Sequence, residues 1–224
     1  VRLPFDYKLL MESDKKPLQL KNGAWEWLDK AIQMAKKREM FVILDMHGAP
    51  GRQSGMDHSG RIGYNKLWSN KDYQKQTAWL WNQISQRYKK EPVVAAYDLL
   101  NEPWGSNEGN LKKVVLKCYR AIRKNDDRHI VIFPGHTSGI DFYKNIRSVN
   151  LVNVIYTMHF YPGFFGWGSP TPYVHAEFLT AGLLFWEKKM GSNNSPLLIG
   201  EFNVVIKDAG GGEMMRRYYD YYES

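Results

Sequence analysis

Six strand-sized apolar runs, separated at a steady beat by helix-patterned segments, leave this 224-residue chain few folds to choose from. The runs are VRLPF (1–5), FVILDMHG (41–48), VVAAYDLLNEP (93–103), HIVIFPG (129–135), VNVIYTMHFYPG (152–163) and PLLIGEFNVV (196–205). Their apolar stretches are nearly continuous rather than alternating, which suits parallel strands buried on both faces. Between them, residues 25–38, 72–88, 111–123, 174–189 and 213–222 carry apolar side chains at helical steps, as with Trp25, Leu28, Ile32 and Ala35. Strand and helix in alternation mean βα units around a parallel sheet. With no internal repeat, low-complexity tract or linker, residues 1–224 read as one domain.

Two architectures fit this string, an open doubly wound sheet and a closed (β/α)₈ TIM barrel. The doubly wound reading calls for a glycine-rich phosphate loop after the first strand. Neither G-x-G-x-x-G nor a P-loop occurs, and the glycines at 210–212 open no phosphate motif. The C-terminal ends of the runs instead carry reactive side chains: Arg2 and Asp6, His47, Asn101 and Glu102, His159 and Tyr161, then Glu201. In a barrel those ends share one face and surround one pocket, so the barrel is the expected fold.

Composition excludes several function classes. Apolar residues are 43% and charged residues 24%, a globular balance that removes disordered and fibrous classes. No apolar run is long enough to span a membrane, and no membrane partner is expected. A single cysteine, Cys118, leaves no internal disulfide and no Cys-based zinc site. The net charge of +8 raises the question of nucleic acid. Lys and Arg are spread along the chain, however, with only short clusters such as Lys36-Lys37-Arg38, and a solvated basic surface is the expectation. No nucleic-acid partner is expected; steeply salt-dependent binding would reveal one.

Asn-Glu-Pro at 101–103 ends one run and Gly-Glu-Phe at 200–202 ends another. A carboxylate at the tip of a buried strand is costly unless it is paired or used. Either glutamate alone could cap the following helix; two at strand ends point to chemistry. Paired carboxylates on one cleft are what glycoside hydrolysis requires, one protonated to donate to the leaving oxygen and one ionised to attack the anomeric carbon. Asn101 can bond a sugar hydroxyl or orient its neighbour. His159 and Tyr161 project to the same side of their strand, where Tyr161 can donate to an ionised carboxylate, and Arg2 supplies a positive charge that would keep one glutamate ionised.

Taken together and in order, Arg2 in VRLP, His47 in LDMHG, Asn101-Glu102 in NEP, His159 and Tyr161 in HFY and Glu201 in GEF make the chain resemble glycoside hydrolase family 5, the cellulase-type members of clan A. The resemblance implies a (β/α)₈ barrel and a retaining mechanism with Glu102 as general acid/base and Glu201 as nucleophile. Strands two to seven of the family barrel are visible. The first strand, its helix, the eighth strand and the family's strand-eight tryptophan are not, so the expectation is a catalytic barrel domain truncated at both ends. An open six-stranded sheet would expose two apolar edges that a second copy of the chain could cover in a homo-oligomer. The segment HGAPGRQSGMDHSG (47–60) is similar to the corresponding loop of β-glucan-active members, and its Gly and Pro content predicts a shaped loop near the site.

The remaining aromatics and histidines divide. Trp25, Trp27, Trp79, Trp81 and Trp186 fall in helical segments and are expected to pack on the sheet. Trp68, Trp104 and Trp167 fall in loops on the site face, where rings stack on pyranose faces or anchor the loop; Trp104 and the stretch Phe164–Trp167 lead. His58, His129, His136 and His175 are expected on the surface or in loops, with His136 a candidate supporting residue. His47 and His159 lack metal-ligand spacing, so no metal or cofactor is expected. Cys118 is expected in the core. No nucleophile elbow is present for a Ser-His-Asp triad.

The expected function is therefore hydrolysis of a β-linked glucan polysaccharide or oligosaccharide, endo-β-1,4-glucanase first. Exo-β-1,3-glucanase and β-mannanase are rivals within the family, and an inactive carbohydrate-binding barrel fragment is the rival outside it. Glu102 would protonate the glycosidic oxygen as Glu201 attacks, and then activate water for release. Retention predicts the two carboxyl groups at roughly 5–5.5 Å. The family implies an extracellular or periplasmic enzyme; no signal peptide is visible ahead of Val1.

Overall fold

The computed structural model describes residues 1–14, 18–143, 151–193, 196–204 and 210–223. Val205, the last residue of the expected final strand, lies outside them. The chain falls into two compact units, Val1–Tyr156 and Thr157–Ser224, the division lying inside a strand.

In the first unit, β1 (Arg2–Asp6), β2 (Val42–Gly48), β3 (Val94–Asp98) and β4 (Ile130–Pro134) lie in sequence order, each pair parallel. β2 and β3 are almost continuously buried, as their unbroken apolar runs predict. Three helices connect the strands: α1 (Glu26–Lys36), α2 (Lys71–Tyr88) and α3 (Glu108–Arg123). In α1 the buried residues are Leu28, Ile32 and Ala35, with Glu26 and Asp29 in the first turn and Lys36 in the last, signs that suit the helix dipole. Asn70 caps α2 by accepting from the Asp72 N–H, and Asn107 caps α3 by accepting from the Asn110 N–H. The second cap explains why α3 starts at Glu108, a turn before the first apolar residue, Leu111.

The fully buried Trp81 of α2 fills the layer between helix and sheet. Its ring meets Phe5 and Tyr97 at centroid distances of 6.0 and 5.8 Å, and its indole N–H donates to the Leu99 carbonyl at 3.1 Å. Tyr97 in turn donates to Asp126 at 2.8 Å. Burial would raise the Asp126 carboxyl, but bonds from the His129 N–H, Tyr97 and the Arg128 N–H outweigh it and hold the group below the usual carboxylate range. His129, whose Nδ1 lies 2.6 Å from Asp126, is thus a core-side partner rather than a free surface group. Trp27 departs from expectation in the other direction. It is 58% exposed, with the Lys30 ammonium 5.2 Å from its ring centroid, because its position in α1 faces away from the buried Leu28–Ile32–Ala35 stripe.

The second unit takes up β5 (Val154–Phe160) from Thr157 and sets it beside β6 (Leu197–Phe202). The expected long helix is three segments in succession: α4 (Pro172–Glu177), a π-helical turn (Phe178–Gly182) and α5 (Leu183–Asn193). Within the π turn, Thr180 Oγ1 donates back to the Ala176 and Glu177 carbonyls, a competition with the main-chain ladder that favours such local widening. α6 (Gly211–Glu223) places Tyr218 at the centre of an aromatic cluster. Phe202 stacks on it at 5.4 Å with an interplanar angle of 8°, and Phe178 stacks at 6.4 Å and 15°. Much of the chain's aromatic content is used here as packing. His175, expected on the surface, is fully buried and bonds Tyr218 through Nδ1 at 2.9 Å; burial lowers its pKa and keeps the ring neutral.

Cys118 of α3 is fully buried, and burial pushes its thiol up to about 12. The native protein is therefore expected to show no reaction with a thiol-specific chromogenic reagent at neutral pH, and the full signal for its single cysteine after denaturation in guanidinium. A rapid native signal would contradict the packing of α3.

Candidate active site

One guanidinium joins β1 to the middle of β2 and to the end of β3. Arg2 donates from Nε to Asp98 at 2.9 Å and from Nη2 to the Asn101 side-chain carbonyl at 2.8 Å, with Asp45 at 3.2 Å. Asp45 and Asp98 are both 0% exposed. Each would cost several kcal/mol of desolvation if unpaired, so the cation at the start of β1 is a structural requirement of the two acids on β2 and β3.

His47 extends the network. Its Nδ1 lies 2.7 Å from Asp45, and because a carboxylate only accepts, Nδ1 carries the proton. Nε2 is then the acceptor for the Asn101 amide N–H at 3.2 Å. Asn101 is held at both ends of its amide, by Arg2 and by His47, and its orientation follows from that chemistry. Gln53 locks the loop after β2 onto the same tips, donating to the His47 and Asn101 carbonyls at 2.7 and 2.9 Å and accepting from the Ala49 N–H at 3.1 Å.

Backbone bonds carry the strand line beyond β3. The Leu99 N–H donates to Ile132 of β4 and the Asn101 N–H to Met46 of β2, at 3.2 and 3.1 Å. The next residue, Glu102, has φ of 40°, the left-handed region that a non-glycine side chain enters at a cost of order 1–3 kcal/mol. Such strain persists only where the surroundings enforce it, here between the pinned Asn101 and Pro103. His58 faces Glu102 twice: its Nδ1 is 3.3 Å from Oε2, and its Nε2 is 3.3 Å from the main-chain oxygen. Trp104 stands edge-on to the His58 ring at 5.2 Å.

The other aromatic and histidine candidates of this unit act through loops. Trp68 is not an open platform: it is 9% exposed, and its indole N–H donates to the Gln53 carbonyl at 3.0 Å, so it supports the residue that holds His47 and Asn101. His136 donates from Nε2 to the Ser106 carbonyl at 3.0 Å, joining the loop after β4 to the loop after Glu102. Arg52 pairs with Asp6 and covers the Tyr7 ring at 5.0 Å, fastening the 47–60 loop to the end of β1.

In the second unit Tyr161, one residue beyond β5, donates its hydroxyl to Glu201 Oε2 at 2.6 Å, and His159 Nδ1 lies 3.7 Å from the same oxygen. A short phenol–carboxylate bond favours the ionised carboxylate. Gly200 is required beside it, since a Cβ there would lie 2.6 Å from Thr157 Oγ1 and 2.8 Å from His159 Nε2. Tyr161 also begins a tight loop in which the Phe164 N–H bonds Tyr161, the Trp167 N–H bonds Phe164 and the Gly163 N–H bonds Trp167. The loop leaves Phe165 exposed edge-on to Tyr161 at 5.2 Å, and Trp167 49% exposed.

Asp45, Asp98, Gln53 and His58 were not singled out from the sequence. Both aspartates sit within strand runs, DMHG and AAYDLLNEP, where a lone acid amid apolar residues is itself a signal of a buried pair. Gln53 and His58 lie in a loop whose path no periodicity predicts.

A solved structure of Thermotoga maritima Cel5A in complex with mannotriose superposes on 98% of this chain and 74% of its own, at a TM-score of 0.76 and 18% identity. The fold is thus of the (β/α)₈-barrel type, incomplete, with six strands among the described residues. The family model for cellulase, glycosyl hydrolase family 5, matches residues 1–224, and the chain belongs to that family. Among curated relatives, a beta-xylosidase of Phanerodontia chrysosporium is 34% identical over 79% of this chain and 37% of its own. Endoglucanase C of Acetivibrio thermocellus is 31% identical over 74% of this chain and 47% of its own. The chain spans less than half the length of either relative.

Two substitutions test the site's construction. Arg2→Met leaves Asp45 and Asp98 buried without the cation between them and is expected to lower unfolding free energy by about 3–5 kcal/mol, measured by urea denaturation. Gly200→Ala is expected to lower the thermal midpoint, because the added methyl displaces Thr157 or His159; an unchanged midpoint would refute the close approach.

Proposed function

We propose that this chain is a retaining glycoside hydrolase acting on β-linked glucan, in the manner of an endo-β-1,4-glucanase. Glu201 is the nucleophile and Glu102 the general acid/base. The observation that carries the assignment is the 2.6 Å bond from Tyr161 to Glu201. A phenolic donor selects the ionised form that attack at an anomeric carbon requires, and the bond holds one carboxylate oxygen while the other is directed at carbon. Glu102 lies just past β3, beside the His58 imidazole and a half-buried tryptophan. Arg2, His47 and Asn101 fix the backbone that presents it; His159 flanks the nucleophile; His136 and Trp68 hold the loops.

In the first step Glu102 gives its proton to the glycosidic oxygen as the Glu201 carboxylate attacks, forming a glycosyl-enzyme ester and releasing the leaving sugar. In the second, Glu102, now ionised, takes a proton from water, whose oxygen attacks the anomeric carbon and frees Glu201. Trp104 and Trp167 offer ring faces for pyranose stacking. Polymeric glucan is met outside the cell, so the enzyme is extracellular or periplasmic. Exo-β-1,3-glucanase is the second reading, on the resemblance of the 47–60 loop to that of β-glucan-active members of the family.

Reducing-sugar release from soluble cellulose, β-1,3-glucan and mannan decides among these. Release from one polymer is expected, cellulose first, falling by about 10⁴-fold or more in Glu201→Gln. Turnover that survives in Glu201→Gln would sink the nucleophile assignment. No release from any polymer, with oligosaccharide binding retained, would favour the carbohydrate-binding reading.

A further inference from the structure

We propose that His58 is a positioning residue for the acid/base: it holds the Glu102 carboxyl from the side of the loop after β2. The inference rests on the reading of Glu102 given above. Its basis is the double contact of one imidazole with one glutamate. Nε2 is 3.3 Å from the Glu102 main-chain oxygen, which can only accept, so Nε2 carries a hydrogen. Nδ1 is 3.3 Å from Oε2 of the same residue. The two contacts set one imidazole against both the carboxyl group and the main chain of the same residue.

The ring is itself held. Asp57 Oδ1 accepts from the His58 backbone N–H at 2.9 Å, and Trp104 packs edge-on at 5.2 Å, so the contact is built from the loop and from the segment after Glu102 together. The His58 side chain is 15% exposed and that of Glu102 9%, which limits competition from water. The main-chain bond joins the one from the Trp104 N–H, at 2.8 Å, in bracing the left-handed backbone of Glu102. Residue 58 acts through Glu102: it sets where the acid's second oxygen points.

The test is a leaving-group series on the intact chain. Aryl β-cellobiosides are hydrolysed by wild type, Glu102→Ala, His58→Ala and His58→Asn, with folding checked by thermal melts. A good leaving group such as dinitrophenolate needs no protonation, whereas a poor one such as phenolate or a second glucose does. Glu102→Ala is expected to lose kcat/KM steeply on poor leaving groups and little on good ones. His58→Ala is expected to follow the same slope to a lesser degree, roughly 10–100-fold in kcat/KM on the poor leaving group, with partial restoration by added imidazole. Equal loss across the series, or none, in His58→Ala and His58→Asn while Glu102→Ala keeps its steep slope would overturn the role of His58 alone. A flat series in Glu102→Ala would remove the acid assignment and this proposal with it.

Discussion

Asp45 and Asp98 lie without solvent exposure on neighbouring strands of a parallel sheet, and the first unit can form only if a cation accompanies them. Arg2 is that cation, and it comes from the adjacent strand end of β1. Two buried like charges repel and each is poorly solvated, so the guanidinium's rigid fork, which can serve several acceptors at once, suits the position better than a lysine's point charge. The same fork reaches Asn101. Since Glu102 follows directly in the chain, the electrostatics of the strand tips and the placement of the proposed acid/base have one origin.

Around that ion cluster the polar groups are satisfied in a set order, each fixing the next. Asp45 selects the His47 tautomer, the tautomer selects the direction of the Asn101 amide, and Gln53 ties both backbones to the loop after β2. Trp68 is consumed in holding Gln53 and so is lost as a sugar platform, which is why tryptophans in similar loop contexts have different fates. Rigidity of this kind suits a site whose reacting groups must be held to fractions of an ångström. The second unit reaches the same end by other means: Gly200 lets β6 approach β5, and Tyr161 can then meet Glu201.

Much of this was legible before any coordinates. The unbroken apolar runs specified buried parallel strands, and the helical spacing of Leu28, Ile32 and Ala35 named the buried face of α1. Of the polar residues expected at strand C-termini, His47, Asn101-Glu102, Tyr161 and Glu201 stand at or just past them, whereas Arg2 opens β1 and meets its partners through its long side chain. Boundaries were less legible, because side-chain caps decide them: α3 begins at its asparagine cap and not at its first leucine, and one expected helix is broken by a π turn.

Periodicity and residue type, which are local properties, therefore determined the βα alternation, the core faces and the residues at the strand ends. Contacts between segments distant in sequence were decided only by the tertiary structure. It gave Arg2 to Asp45 and Asp98, brought His58 across 44 positions to Glu102, buried His175 against Tyr218 and turned Trp27 outward. Hydrogen-bond partners depend on which backbone and side-chain groups the folded chain leaves unsatisfied within about 3 Å, and no local pattern in the sequence encodes that distance.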